Sequence, residues 1–337
     1  MTSSSEYFVA AAAELAAALG LPHPDPAAIT ACRNKATQRV LLRAHGVAGP
    51  DFGSASTPAE AVRLADELGL PVVLKPAAGS GSVGVRLCHR PAEVAEAAQA
   101  ALAGELAGIP AQQAVLVERY LNGPEFSVET FGQRVVGITG KYLGAPPYFI
   151  ETGHDFPARL PADDRAALAD TALRALAALG LGWGPAHVEL RLTPAGPAVI
   201  EVNPRLAGGM IPDLVRLATG LDLITATVAN AAGRPMELTP IPTAGAAIRF
   251  LVATRSGEFV AAGGLDRAAS CPQVTEVVLT RRPGSRLVLE HSFRDRVGYL
   301  MSTGRDSEQA AAAADRALAC VRLQIEPGRQ PVLLAES

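Results

Sequence analysis

The chain has 337 residues, 33 acidic against 30 basic side chains, and a formal charge of -3. That length supports two or three compact units with cores of their own. Charges of both signs are interspersed, which excludes a basic nucleic-acid surface or a membrane-binding face. The N-terminus, Met-Thr-Ser-Ser-Ser-Glu, lacks the basic-then-apolar layout of a secretion signal, and no apolar run reaches the roughly 20 residues of a membrane span. A soluble cytoplasmic protein is expected.

Two further counts carry information. The four cysteines, Cys32, Cys88, Cys271 and Cys320, form no Cys-x-x-Cys pair, so they read as small buried hydrophobes rather than zinc or redox ligands. Of the 30 basic residues only three are lysine, at 35, 75 and 141. In a chain so biased towards arginine, a lysine points to a place that needs a compact ammonium on a flexible stem, as phosphate sites do.

In chain order, an alanine-rich amphipathic helix over Tyr7 to Leu19 stops at Gly20-Leu-Pro. A second helix over Cys32 to His45 carries Lys35 in its first turn. A third, Pro58 to Leu68, has Thr57 as N-cap and Gly69 as stop. The strand Pro71 to Pro76 follows, with Lys75 at its end, and then the loop Ala77-Ala-Gly-Ser-Gly-Ser-Val-Gly-Val85. Glycines let backbone N–H groups curl around phosphate oxygens and serines add donors, so Gly79, Ser80, Gly81 and Ser82 are a candidate phosphate cover. It is no Walker A loop, because the lysine precedes the glycines; a plain hairpin turn is the other reading.

A helix over Pro91 to Ala103 leads to two strands within Ala114 to Phe131. Glu118 ends the first and Glu125 begins the second, and a strand-end connection with two acids suits a base and a ribose. Simple exposed carboxylates would look the same. From Lys141 to Pro157 an aromatic, Pro/Gly-rich connection makes a plausible substrate wall, with Lys141, Tyr148, Glu151 and the loop histidine His154. After a helix over Ala162 to Leu179 comes a β-hairpin, His187 to Leu192 and Ala198 to Val202. Strand alternation sets His187, Glu189 and Arg191 on one face of its first strand, and Glu201 and Asn203 on one face of its second. Oxygen ligands of this kind suit Mg²⁺, which keeps few protein carboxylates and completes its shell from phosphates and water. A solvated acidic edge is the bland alternative.

Beyond the hairpin, Arg205 and Gly208-Gly209 precede a helix starting near Ile211-Pro212. A guanidinium there is placed to clamp an oxyanion, or else to pair with Glu201 or Asp213. The remainder reads as an α+β module: strands at 247–253, 275–280 and 299–303, then a helix over 307–321. Arg249 either reaches the site or serves structure.

Taken together, Lys35, Lys75 with its glycine-serine loop, Val117-Glu-Arg-Tyr-Leu-x-Gly-x-Glu125, His187-x-Glu189 and Glu201-Val-Asn-Pro-Arg205 resemble, in content and order, the ATP-grasp superfamily. The resemblance is to carboxylate-amine ligases that include the bacterial L-amino acid (dipeptide) ligases, and it covers residues 30–325. It implies an α+β, ATP-grasp fold in which two α+β subdomains clasp ATP. The expected division is a helical N-terminal remnant (1–45), a small subdomain (46–118), a large subdomain with the metal site (119–240) and a C-terminal α+β module (241–337).

The resemblance further implies that Lys35 and Lys75 contact ATP phosphates. Glu118 would accept from the adenine amine, with Arg119 beside it, the backbone of Tyr120 and Leu121 would pair with the ring, and Glu125 would hold the ribose. Glu189, Glu201 and Asn203 would bind two Mg²⁺, with Mn²⁺ an acceptable substitute, and His154 would lie near the reacting carboxylate. The expected activity is ADP-forming ligation of a small-molecule carboxylate, such as an amino acid, to an amine through an acyl phosphate. A nucleotide-binding subunit active only with a partner, a biotin-carboxylase-like enzyme and a phosphotransferase are the alternatives. Such ligases begin with an open α/β domain of which only a helix remains here, so a homodimer or a partner chain is expected to replace it.

Overall fold

The computed structural model describes residues 1–79, 81–104, 106, 111–234, 236–239, 241 and 243–327. Three helices open the chain: α1 (Val9–Ala18), α2 (Pro26–Arg33) and α3 (Lys35–Ala44). The single helix expected over Cys32 to His45 is instead divided at Asn34. That residue is extended (φ -101°, ψ 113°) and its side chain accepts from Thr37 N–H, so it caps α3 and makes Lys35 its first residue.

The small unit contains β1 (Phe52–Ala55), α4 (Pro58–Leu68), β2 (Val72–Pro76), β3 (Arg86–Cys88), α5 (Pro91–Ala103) and β4 (Val115–Arg119). Thr57 caps α4 by accepting from Glu60 N–H, and Gly69 ends it at φ 80°. The four strands form an antiparallel sheet in the order β1-β4-β2-β3. Its apolar face packs Val72, Leu74, Val115 and Val117 against Ala61, Ala65, Val94 and Ala98 of α4 and α5.

The large unit is an eight-stranded sheet in the order β12-β14-β10-β7-β6-β5-β8-β9. Its strands are β5 (Glu125–Phe131), β6 (Arg134–Leu143), β7 (Glu151–Phe156), β8 (Pro185–Thr193), β9 (Gly196–Asn203), β10 (Gly245–Val252), β12 (Val274–Leu279) and β14 (Arg296–Gly304). β10 pairs with β7, so residues beyond 240 extend the same sheet. The 17-residue α6 (Ala162–Ala178) covers one face, burying Leu168, Ala172, Ala175 and Leu176 against Val128, Val188 and Val202. Helices α7 (Ile211–Thr219) and α8 (Leu223–Ala231) contribute Leu214, Val215 and Leu223 to a cluster with Phe156, Ile248 and Phe250. Burying a side chain of this size contributes about 1.5–3 kcal/mol, and these clusters fix the strands that carry the polar residues.

Two stretches depart from the sequence expectation. Most of 141–157 is not a loop but the β6–β7 hairpin, with only 144–150 between the strands. A third sheet, in the order β13-β11-β15, was not anticipated; it joins β11 (Gly257–Gly263), β13 (Ser285–Leu287) and β15 (Arg322–Glu326). It packs with α9 (Leu265–Ala269) and α10 (Ser307–Leu318) around Phe259, Ala310, Ala314 and Ile325. Cys32 and Cys88 are buried as expected, whereas Cys271 and Cys320 are half-exposed. No helix among the described residues is long and apolar enough to cross a membrane.

Candidate active site between the two sheets

A cleft with about 900 Å³ of open space lies where the small sheet faces the large one. All three lysines of the chain line it: Lys35, Lys75 and Lys141. So do Gly79, Gly81, Ser82, Glu118, Arg119, Tyr120, Leu121, Glu125, Glu151, Glu189 and Glu201. Ser80 lies outside the described residues.

The register of the large sheet explains how distant residues meet. Lys141, Glu125 and Arg191 occupy one row across β6, β5 and β8; Thr139, Ser127, Glu189 and Glu201 form the next, reaching β9; Glu129, His187 and Asn203 form a third. One polar face thus gathers side chains up to 78 positions apart on four strands.

Two carboxylates face each other in that face. Glu189 and Glu201 are register partners, and each holds an ammonium: Lys141 Nζ lies 2.9 Å from Glu189 Oε2, and Lys35 Nζ lies 2.7 Å from Glu201 Oε1. Lys141 also touches Glu125 at 3.0 Å and Glu151 at 2.8 Å. Burial works against the Lys141 ammonium, but Glu151, Glu189 and Glu125 outweigh it and hold its pKa well above the usual lysine value. For Glu189, burial pushes the carboxyl up, yet Lys141 and His187 overcome this and hold it well below the carboxylate range. Glu189 is therefore held as the anion at neutral pH. Among the described residues no three His, Cys, Asp or Glu side chains form a protein-only cage. Two facing carboxylates without further protein ligands are the donor set that Mg²⁺ uses when phosphates complete its shell, so the residues fit that ion.

The glycine loop is anchored at its start and at its middle. Lys35 donates through its backbone N–H to Ala77 O at 3.0 Å and through Nζ to Gly79 O at 2.8 Å. Further on, Phe293 N–H donates to Gly81 O, and the Phe293 ring fills the space a Gly81 Cβ would need. Gly81, at φ 67°, is thus required both by its conformation and by this close approach.

Across the cleft, Glu118 does not project freely towards a base. Its carboxylate is buried and held by Lys75 at 2.7 Å and by Arg39 at 2.5 Å. Burial pushes it up, but the two cations prevail and keep it below its ordinary value; the Lys75 ammonium is lowered because its own burial outweighs the pull of Glu118. Arg39 was not singled out from sequence, since nothing local distinguishes it from 26 other arginines. In the connection after Glu118, Tyr120 N–H donates to Pro71 O, and Leu121 O accepts from Arg191 at 2.8 Å. This leaves the Tyr120 carbonyl and the Leu121 N–H, among the described residues, as an unengaged acceptor and donor side by side. Glu125 is held by Arg191 at 3.3 Å and by Lys141, and Arg191 lies 5.1 Å from the Tyr120 ring and 5.3 Å from Phe149.

Several expected residues lie off the cleft. Asn203 is buried opposite His187, and its Oδ1 accepts from Arg205 at 3.3 Å. Arg205 pairs neither with Glu201 nor with Asp213; it donates to Glu6 at 2.5 Å, and Arg33 holds the other oxygen of Glu6. Tyr148 stacks on His291 at 3.8 Å instead of lining the cleft. Arg249 is engaged by Asp155 (2.8 Å) and Asp315 (2.7 Å) and lines a separate groove.

His154 stands on β7 rather than in a loop and is fully buried. Both ring nitrogens lack a hydrogen-bond partner among the described residues; Glu151 lies 3.6 Å from Nε2. Burial lowers its pKa to about 4, so it is neutral. Gly209 sits over it, with a position for Cβ only 2.6 Å from Nε2, while Gly208 has open space around it. The Gly-Gly turn is thus the roof of a buried, unpartnered imidazole.

The sequence matches an ATP-grasp domain over residues 68–213 and L-amino acid ligase C-terminal domain 2 over 249–326. It is 41% identical over 327 residues to the uncharacterized protein y4rH of Sinorhizobium fredii, covering 97% of this chain and 68% of that one. It is 32% identical to carnosine synthase 1 of Homo sapiens over 245 residues, 67% of this chain but 30% of that protein. The fold superposes on the L-amino acid ligase of Bacillus licheniformis with a TM-score of 0.83 and 26% identity, over 96% of this chain and 79% of that one. Cleft, strand order and sequence kinship agree: the chain belongs to the ATP-grasp superfamily, among proteins similar to L-amino acid ligases.

Proposed function

We propose that this chain is an ADP-forming ligase that activates a small carboxylate, such as that of an amino acid, and joins it to an amine. The single observation that carries the reading is the gathering of all three lysines around the facing Glu189–Glu201 pair in one cleft. Such an array neutralises a polyphosphate and leaves anions for a divalent cation.

Lys35, Lys75 and the Gly79–Ser82 loop would take the phosphates, the Tyr120 carbonyl and Leu121 N–H the base, and Glu125 the ribose. Glu189 and Glu201 would hold Mg²⁺, with Asn203 behind them. When bound, that ion supplies neutralisation of charge on the phosphates. A substrate carboxylate oxygen attacks the terminal phosphorus, the bond to ADP breaks, and an acyl phosphate forms. The amine then attacks the acyl carbon, loses a proton, and phosphate departs as the amide forms. The neutral imidazole of His154 has no partner of its own, and it would meet the reacting carboxyl group only once the Gly208–Gly209 turn that covers it moves. Arg205 would reach it only after leaving Glu6. Closure of the 77–85 loop would exclude water, which would otherwise hydrolyse the acyl phosphate.

A second reading, a nucleotide-binding subunit that works with another chain, draws on apolar side chains left open on α1 and α8: Leu15 and Ile224 are about half exposed, and Val228 is 61% exposed. Incubating the purified chain with ATP, Mg²⁺ and pools of amino acids separates the two. ADP in step with amide supports the ligase; tight ATP binding without turnover supports the subunit, and bicarbonate-dependent turnover would favour a carboxylase.

A further inference from the structure

Behind Glu189 lies a buried chain of polar groups that the reaction above does not use. Glu129, 3% exposed, accepts from the Ser127 hydroxyl at 2.6 Å and the Thr139 hydroxyl at 3.3 Å. His187 Nδ1 lies 3.0 and 3.1 Å from the two Glu129 oxygens, and its Nε2 lies 3.1 Å from Glu189 Oε1. Neither Glu129 nor His187 lines the cleft. The ring is thus braced by both Glu129 oxygens on one side and faces Glu189 on the other.

We infer that Glu129 and His187 are positioning residues that fix the Glu189 carboxylate in the orientation in which it receives a divalent cation. The inference rests on the assignment of Glu189 to the metal and deepens it. The argument is one of degrees of freedom. Glu189 projects towards a cleft in which Lys141 pulls on Oε2. Without a donor on Oε1 the carboxylate is free to rotate onto the ammonium with both oxygens. The His187 N–H pins Oε1, and Glu129 in turn keeps the ring from turning, because rotation would break its contacts with both Glu129 oxygens. Ser127 and Thr139, on β5 and β6, then fix Glu129 itself.

Glu201 has no comparable backing. Its one side-chain partner among the described contacts is Lys35, on α3. One acid of the pair is therefore preset by the sheet, while the other depends on a lysine that also holds the glycine loop. Outer-shell support of this kind fixes the geometry of a ligating carboxylate, and losing it typically weakens metal binding by about 10–100-fold. A purely structural ion pair would not show that selectivity, because an apolar pair of similar volume would serve the fold as well.

The test uses the full chain with ADP and Mn²⁺ as the metal probe, free Mn²⁺ being read by electron paramagnetic resonance. His187→Ala and Glu129→Gln are expected to raise the Mn²⁺ dissociation constant about tenfold or more, with metal-free ADP affinity within about twofold of the parent. His187→Gln, which keeps a donor towards Glu189, should recover part of the loss. Unchanged Mn²⁺ affinity in folded His187→Ala, or Mn²⁺ and ADP affinity falling together with the melting temperature, would overturn the inference. Should His187→Ala not fold, the near-isosteric Glu129→Gln decides alone. Glu189→Gln is the control: if it leaves Mn²⁺ affinity unaltered, the metal assignment itself fails, and that result is distinct from a failure of positioning.

Discussion

Glu189 and Glu201 are direct partners across the β8–β9 ladder, and each is neutralised by a lysine from a different element, Lys141 from β6 and Lys35 from α3. Two carboxylates opposed on one sheet face repel unless cations lie between them. The lysines supply that neutralisation here, and the two carboxylates would hold a divalent cation that supplies charge neutralisation at the phosphates. Glu201→Gln is therefore expected to lower ADP formation by about 100-fold or more, measured by coupled assay at saturating ATP. A normal rate in that variant would contradict the metal assignment.

Gly209→Ala places a methyl group 2.6 Å from His154 Nε2, too close for both to stay, at a φ of 60° that disfavours alanine. The imidazole must shift, and it lies off the nucleotide cleft. ATP affinity by calorimetry should stay within about threefold of the parent while amide formation falls by about 100-fold, the size of effect expected when one aligned group is lost. Equal losses in both would mean that the turn shapes the nucleotide site instead.

Arg205→Ala is expected to spare ATP binding and block amide formation. It also leaves Glu6 with Arg33 as its remaining partner. Glu6→Gln, which loosens Arg205 without removing it, should retain amide formation. If Glu6→Gln is as inactive as Arg205→Ala, the ion pair itself is what activity needs.

The two buried histidines predict opposite flanks of a stability profile. Burial pushes His154 down to about 4 from 6.5, so the unfolded chain takes the proton first. Its contribution is fully present above about 6.5 and is lost as pH falls towards 4. For His187 burial also disfavours the charge, but Glu129 and Glu189 outweigh it and raise the pKa to about 9. That contribution is present below about 6.5 and is lost as pH rises through 9. Each window carries up to about 3 kcal/mol. Urea unfolding from pH 4 to 9 should show a maximum near neutrality. His154→Gln should flatten the acid side and His187→Gln the alkaline side; a parent profile level between pH 6.5 and 9 would show that His187 is uncharged.

How far the sequence could be read follows from the range of each interaction. Period-two alternation in His187 to Arg191 and Glu201 to Asn203 is local, and it showed which residues share a face of each strand; that Glu189 stands opposite Glu201 is a matter of register, which alternation alone does not fix. The scarcity of lysine was equally legible, and all three lysines line the cleft. What stayed hidden depends on contacts between distant positions. Arg39 meets Glu118 79 residues away, and Arg205 meets Glu6 199 residues away, and no local pattern selects either partner. His154 looked like a loop residue because Pro146, Pro147 and Gly153 suggest irregular chain, yet pairing with β6 and β10 makes the segment a central strand. The third sheet was missed because β13 is three residues long, too short to show alternation.

The most direct test of the central claim follows the oxygen atoms of the substrate. An amino acid labelled with ¹⁸O in its carboxyl group is incubated with the chain, ATP, Mg²⁺ and a second amino acid, and the released phosphate is examined by ³¹P NMR. Activation of a carboxylate by phosphoryl transfer predicts one ¹⁸O in each phosphate formed with amide. Phosphate carrying only oxygen from water or ATP would contradict it.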